Sequence, residues 1–245
     1  MDARPPVFLV QPSQLGADTV VLSGAEGRHA ATVRRIRTGE RVDLADGAGL
    51  VAECVVTSAA PGRLGLRVTS RRAERPPEPL LVAVQAIPKG SRGELAVELM
   101  TEVGVDVIVP WAAQRCVPRW RGERRASALS RWRDSARESA KQARRARIPE
   151  VREPATSDDV AGMIGAARCA VLLAADAHVR LADVAVPSAG TVMIVVGPEG
   201  GPTDAERGAF AAAGAVCARL GPSVLRTSTA GAVAAAVLLS GSARW

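Results

Sequence analysis

The sequence is poor in the residues that build metal centres and thiol chemistry. Its 245 residues include four cysteines (Cys54, Cys116, Cys169 and Cys217) and two histidines, His29 and His178. No C-x-x-C or C-x-H pairing occurs, and a zinc site needs ligands at short spacing, so no metal is expected. The cysteines read as reduced, mostly buried small hydrophobes. Long apolar runs are also missing. The longest, Ala230 to Leu239, is about half of what a membrane crossing needs. The opening Met1-Asp2-Ala3-Arg4-Pro5-Pro6 carries an acid and no apolar h-region, so a cytoplasmic protein without a membrane partner is expected. No G-x-x-x-x-G-K-[ST] occurs, which excludes a P-loop nucleotide site. Internal repeats and low-complexity tracts are absent as well.

What is present is ordinary globular composition, 47% hydrophobic and 23% charged, with an uneven charge. The net charge is +7, and arginine outnumbers lysine 30 to 2. Between Trp111 and Arg152 lie 13 basic and 4 acidic residues, so this one segment carries the whole excess. A surface that meets a polyanion has this character; a solvated helix face is the alternative, but such faces usually mix signs.

The chain divides by rhythm. Residues 1–74 form a small β-rich unit, with short β-type runs at Val7–Val10 and Thr19–Leu22 and alternation at Arg41–Ala45. Asp46-Gly47 supplies a turn, and strands follow at Leu50–Val56 and Leu64–Val68. Ala25–Ile36 reads as a single helix. Arg71 to Pro79, with Pro76, Pro77 and Pro79, reads as a stiff linker. From residue 75 to 245 strands and helices alternate, which predicts a mostly parallel sheet covered by helices. Leu80–Ile87 has the continuous apolar character of a strand buried on both faces. Ser91 and Glu94 have capping-box spacing and open a helix with Leu95, Leu99 and Val103 on one side. Val105–Val109 is the next strand, and an Arg-rich helix covers about Arg124–Arg145. Later strands are Ala170–Ala174, Thr191–Val196 and Ala215–Leu220, and a last helix runs from about Thr227 to Leu239.

Three glycine-bearing loops are candidates for chemistry. Gly47-Ala48-Gly49-Leu50-Val51-Ala52 fits G-x-G-x-x-A, but that fingerprint must lead from strand into helix, and here a strand follows. The strand Thr191–Val196 runs directly into Gly197-Pro198-Glu199-Gly200-Gly201-Pro202-Thr203. The strand Ala215–Leu220 runs into Gly221-Pro222-Ser223-Val224-Leu225-Arg226. In open α/β sheets ligands bind beyond the carboxyl ends of strands, and glycines let backbone approach them. Ser228 has no histidine near it in sequence; Thr227 or Ser228 is expected as the cap of the last helix.

The two later loops together resemble the ribosomal RNA small subunit methyltransferase E family, of the SPOUT class of knotted S-adenosylmethionine-dependent enzymes. Gln85-Ala86-Ile87-Pro88-Lys89-Gly90 resembles its lysine block and Thr101-Glu102-Val103-Gly104-Val105 its "T-E-L-G-V" block. Gln142, Arg145 and Ile148-Pro149 resemble its "Q-x-x-R-x-x-x-P" block, and His29 and Arg35 its N-terminal histidine and "V-L-R" arginine. Three positions depart: Ser228 stands where the family has glutamate, Leu99 where it has lysine, and Arg34 replaces the leucine of "V-L-R".

The resemblance implies a PUA-like RNA-binding β-barrel over 1–74 and a SPOUT α/β domain with a trefoil knot over 75–245. It implies a homodimer that methylates N3 of a uridine in 16S ribosomal RNA, acting on the RNA or the assembled small subunit. A catalytically weak RNA-binding factor, or a methyltransferase of another RNA such as tRNA, is the alternative. S-adenosylmethionine is expected against Leu173, Ala175, Gly197, Glu199, Gly200, Gly201, Leu220, Gly221, Val224, Leu225 and Thr227. RNA is expected at Arg28, His29, Arg35, Lys89, Arg115, Gln142, Arg144 and Arg145. Arg226 stabilises charge on the uracil, or else contacts a phosphate or the partner subunit. Glu102 and Glu199 are candidate proton acceptors, with Glu102 placed beside Arg226 as catalytic.

Overall fold

The structure, a computed structural model, describes residues 5–245; part of the N-terminal leader reading falls on Met1–Arg4, outside them. The chain forms two compact units. The first runs to Pro76 and also takes in Ala140–Ile148; the second comprises Pro77–Ser139 and Pro149–Trp245. A division into two contiguous stretches has no place for 140–148, because in sequence those residues continue the Arg-rich helix.

The first unit holds strands β1 (Val7–Leu9), β2 (Thr19–Leu22), β3 (Arg41–Ala45), β4 (Leu50–Ala60) and β5 (Arg63–Ala73). Their order is β1-β3-β4-β5-β2, with β1 parallel to β3 and the other neighbours antiparallel. No pairing joins β1 to β2 among the described residues, so the sheet is a half-barrel. Phe8, Leu15, Leu22, Val42, Leu44, Leu64 and Leu66 fill it. Asp46 turns the β3–β4 hairpin by accepting from the N–H groups of Ala48 (2.7 Å) and Leu50 (3.0 Å). Since β4 follows, the G-x-G-x-x-A match is a hairpin and no nucleotide fingerprint. β5 takes in Arg71–Ala73 from the expected linker, because the Arg71 guanidinium ties the strand to the carbonyls of Leu15 (2.7 Å) and Ala17 (2.8 Å).

The helix expected at Ala25–Ile36 is broken. It runs as α1 (Gly24–Arg28) and then widens into a π-helical turn over His29–Val33. Arg35 ends it at φ 54°. β-Branched Thr32 and Val33 are poor continuers of a helix, and π turns recur at functional sites.

The second unit is built on a seven-stranded sheet, parallel throughout. In chain order its strands are β6 (Leu80–Ala86), β7 (Val107–Trp111), β8 (Glu150–Val151), β9 (Cys169–Leu173), β10 (Val179–Arg180), β11 (Thr191–Val196) and β12 (Val216–Arg219). Their order is β10-β12-β9-β11-β6-β7-β8. The helices are α2 (Arg92–Val103), α3 (Gly122–Gln142), α4 (Ser157–Ala166), α5 (Asp204–Ala212) and α6 (Thr227–Ser240). Val84, Val109, Trp111, Leu172, Val195 and Phe210 are part of the core beneath them.

α2 differs from its expected face. It buries Gly93, Ala96, Val97, Met100 and Thr101, whereas Leu95 is 42% exposed. Small residues win because neighbouring helices come close. A Cβ on Gly93 would lie 2.6 Å from Trp132 Nε1, and one on Gly231 of α6 would lie 2.8 Å from Met100 Sδ. The expected capping box does not form either: Ser91 makes no side-chain cap, and Glu94 accepts instead from Arg131 Nε at 2.9 Å.

α3 buries Ala128, Leu129, Trp132, Ala136 and Ala140 at helical spacing. It stops at Gln142, three residues short of the expected end, because Arg144 adopts φ 54°. Arg144 N–H donates to Lys141 O (3.1 Å) and Arg145 N–H to Ala140 O (2.9 Å), the paired bonds of a Schellman ending. No helix among the described residues is long and apolar enough to cross a membrane.

Candidate active site

In the second unit the carboxyl ends of the adjacent strands β12, β9 and β11 open into one cavity of about 500 Å³. That lies within the roughly 300–1,000 Å³ typical of small-molecule sites. Its walls are Leu173–Asp176 at the end of β9, the loop after β11, and the loop after β12, joined by Ala230 of α6 and Arg92 of α2.

The loop after β11 is shaped by its own turn. Gly201 N–H donates to Pro198 O at 2.8 Å, and Gly201 sits at φ 69°, where a side chain is strained. Behind it Thr203 caps α5 and Glu206, 2% exposed, anchors the turn. The Glu206 carboxylate accepts from the N–H groups of Gln114 and Thr203 and from the Ser157 hydroxyl, each at 2.8 Å. Burial alone pushes its pKa up; these hydrogen bonds outweigh burial and hold it below the ordinary value. Gly200, expected against the cofactor, is outside the lining. It occupies the outer corner of the turn, where its carbonyl accepts from Arg115 Nη1 at 2.9 Å. Lys89 approaches the same loop through its backbone N–H, 3.4 Å from Glu199 Oε1.

The loop after β12 has the opposite character. Among the described residues, the N–H groups of Leu220, Gly221, Ser223, Val224 and Leu225 donate to no acceptor of the chain. Val224 is 82% exposed, although apolar. The two loops are tied by Thr227, whose Oγ1 donates to Gly197 O at 3.3 Å. The expected cap is therefore corrected: Arg226 takes the N-cap position without a side-chain bond, and Thr227 bridges the loops. Ser228 is buried at 3%, which removes any reading of it as a nucleophile.

Five charged side chains line the cavity: Arg92, Asp176, Glu199, Arg207 and Arg226. Asp176 is engaged by Arg207 in a two-pronged pair (2.9 and 3.0 Å), and those bonds hold its pKa down. Arg92 and Arg226 have no carboxylate partner among the described residues.

Of the expected cofactor contacts, Leu173, Ala175, Gly197, Glu199, Gly201, Leu220, Gly221, Val224, Leu225 and Thr227 line this cavity, as does Arg226. Glu102 does not. It is exposed on α2, outside the lining, because the buried side of that helix is the one bearing Met100 and Thr101. Arg92, Asp176 and Arg207 went unread in the sequence. Asp176, three residues beyond a strand end, had a positional signal; Arg92 and Arg207 had none.

The expected RNA contacts divide between the units. Arg28, His29, Arg35, Gln142, Arg144 and Arg145 belong to the first, Lys89 and Arg115 to the second. His29, Gln142 and Arg144 meet in a pocket of about 60 Å³, with Arg34, Lys141 and Pro6–Phe8. No cluster of three or more metal-ligating side chains occurs among the described residues. Cys54 and Cys116 are buried and Cys169 and Cys217 half-buried, all four free; burial pushes the Cys54 thiol up to about 11.

A model of RNA methyltransferase domains matches residues 76–239, and one of RNA methyltransferase PUA domains matches 22–68. The ribosomal RNA small subunit methyltransferase E of Mycobacterium tuberculosis is 47% identical over 229 residues, 92% of this chain and 87% of that protein. Its Bacillus subtilis counterpart is 27% identical over 224 residues, 87% of each chain. Among solved structures, the same enzyme from Neisseria gonorrhoeae, bound to S-adenosyl methionine, superposes with a TM-score of 0.83 at 25% identity. That match covers 97% of this chain and 98% of that one. A Legionella pneumophila protein in complex with the bound cofactor SAM gives 0.81 at 27%, covering 98% and 99%. With its N-terminal PUA half-barrel, its parallel-sheet domain and these relatives, the chain belongs to the ribosomal RNA small subunit methyltransferase E family of SPOUT RNA methyltransferases.

Proposed function

We propose that the protein transfers the methyl group of S-adenosylmethionine to N3 of a uridine in 16S ribosomal RNA, as a cytoplasmic homodimer. The observation that carries this reading is Arg226, a guanidinium without a carboxylate partner among the described residues, beside a cavity suited to the cofactor. Three features fit that cofactor. The volume is adequate, Leu173, Leu220 and Leu225 offer apolar wall to an adenine, and the loop after β12 offers N–H donors to its ring nitrogens. Glu199 is the acidic lining residue outside the Asp176–Arg207 pair. When bound, the cofactor supplies an electrophilic methyl group on a sulfonium.

The chain's own work is positioning and charge. A uracil N3–H must lose its proton, and the resulting charge spreads over the two flanking carbonyl oxygens. Arg226 is permanently cationic, forked and exposed at the cavity, so it stabilises that charge as it develops. Glu199 is the proton acceptor of this proposal, since it lines the cavity and Glu102 does not. Two helices that pack on each other, α2 and α6, expose Leu95 and Val233, apolar surface of the kind a second copy covers. The RNA contacts remain Arg28, His29, Arg35, Gln142, Arg144 and Arg145, with Lys89 and Arg115 beside the cavity loop.

The test is chemical. Purified protein and S-adenosylmethionine are incubated with small subunits, or with naked 16S RNA, from a strain lacking this gene, and the nucleosides are read by mass spectrometry. 3-Methyluridine at one position is expected. A methylated base of another kind, or methylation confined to tRNA, overturns the assignment.

A further inference from the structure

The first unit contains a feature that methyl transfer itself does not use. Two segments far apart in sequence, the π turn at His29–Val33 and the end of α3, face one small pocket. His29, Arg34, Lys141, Gln142 and Arg144 surround about 60 Å³. That is roughly the volume of two waters, far too small for a nucleobase and enough for the free oxygens of one tetrahedral oxyanion.

Its charge is positive. Lys141 is offset by Glu26, whose Oε1 lies 2.9 Å from Lys141 Nζ in a pair exposed only 16% and 9%. The pocket's own cations are Arg34 and Arg144, which no carboxylate holds among the described residues. His29 is fixed by an edge-on contact with Phe8, ring centroids 6.1 Å apart.

The backbone around it is strained on both sides. Among the described residues, Arg35 and Arg144 are the two non-glycine positions with positive φ, each at 54°. Both are helix endings, where glycine or asparagine is the low-cost residue. Arginine there costs stability and adds a guanidinium to this pocket or beside it.

We infer that this pocket seats one internucleotide phosphate of the RNA substrate, holding it between Arg34 and Arg144 with Gln142 and His29 as further donors. The inference rests on the RNA methyltransferase reading and adds Arg34 to its RNA contacts. A phosphate contact carries no sequence information; it sets the register of the strand on the protein.

The experiment compares wild type with Arg34→Gln, Arg144→Asn and the double variant. A fluorescent single-stranded fragment of 16S RNA and a scrambled RNA of equal length are titrated between about 50 and 200 mM KCl. Each single change should weaken both RNAs alike, by roughly 3–10-fold, and lower the log–log salt slope by about 0.7. S-Adenosylmethionine affinity, read by calorimetry, should stay put. Arg144→Asn should melt no lower than wild type, because asparagine accepts the left-handed backbone. Folded variants with wild-type RNA affinity and slope overturn the inference, as does weakening of only one sequence at constant slope, which is base readout. Inorganic phosphate that binds wild type and is not displaced by RNA also overturns it, since the ligand is then free phosphate. Should wild type bind RNA with this slope yet methylate none, the proposed function fails and the phosphate assignment stands.

Discussion

The cavity of the second unit encloses about 500 Å³ between leucines and backbone, whereas the pocket of the first encloses about 60 Å³ between cations. The larger is made by three strand ends that the parallel sheet brings side by side. The smaller is made by two helix endings more than a hundred residues apart in sequence. One is suited to a small molecule with an apolar ring, the other to a single charge of a long polymer. The difference separates what each should do when altered: changes at the strand ends should act on cofactor or turnover, and changes at the helix endings on salt-dependent RNA affinity.

The largest effect is expected at Arg226. If its charge matters only as the uracil loses its proton, Arg226→Ala should lower kcat by two to three orders of magnitude, about 3–4 kcal/mol. Lysine should restore part of that, since a point charge lacks the fork. Cofactor affinity and the sedimentation coefficient should be unchanged. Normal turnover by a variant that sediments as a monomer would show Arg226 to be an interface residue.

Next comes Gly201→Val. The position lines the cavity at φ 69°, so a branched residue is strained and its bulk enters the lining. S-Adenosylmethionine affinity should fall roughly 10–100-fold in calorimetry, with RNA affinity kept. Gly200→Val is the control. A Cβ there meets Arg115 Cδ at an ordinary 3.7 Å, so cofactor affinity should barely change. Equal losses at both positions would break the distinction between lining and outer corner.

These two glycines mark where sequence reading stops. Strands β2, β3 and β11 were legible to the residue, because apolar alternation or continuity is local, and so was the pairing of two Gly-Pro loops at strand ends. Which glycine of the turn faces the cavity depends on one bond, Gly201 N–H to Pro198 O, which spacing does not encode. The buried side of α2 was misread for a similar reason. Leucines are the usual core residues, but Trp132 and Met100 demand glycine opposite them. The small pocket was half legible: His29 and Gln142 were marked by resemblance and Arg144 by the basic run around it, while Arg34 and Lys141 became partners only through a helix ending that arginine disguises.

Glu206 offers an intermediate effect with a definite sign. Glu206→Gln keeps the shape but loses charge-assisted hydrogen bonds to Gln114, Ser157 and Thr203, a loss of roughly 1–3 kcal/mol in urea unfolding. Because the folded pKa lies below the unfolded one, the carboxylate stabilises the protein above roughly pH 4. That stabilisation disappears as pH falls through the depressed folded value. The glutamine variant should lack this part of the pH dependence; an identical acid limb in both proteins would rule out Glu206 as its source.

The smallest effect tests whether the Arg-rich segment is one RNA surface or two kinds of arginine. On α3, Arg131 is paired with Glu94 at 2.9 Å and Arg133 with Glu153 at 3.2 Å, so each cation already has a counter-charge. Arg147 is structural: its Nη2 donates to Glu74 O at 2.6 Å and its guanidinium packs where a Cβ on Gly49 would go. Replacing Arg147 therefore tests the fold of the first unit and says little about RNA. Arg131→Gln and Arg133→Gln remove exposed surface pairs, whose contribution to stability is about 0–1 kcal/mol. Their effect on RNA affinity should stay below roughly twofold, with a salt-slope change well under the 0.7 expected for one phosphate contact. If instead these two substitutions flatten the salt slope as much as Arg34→Gln and Arg144→Asn do, phosphate contact is spread along the whole basic segment. The small pocket then has no privileged place in it.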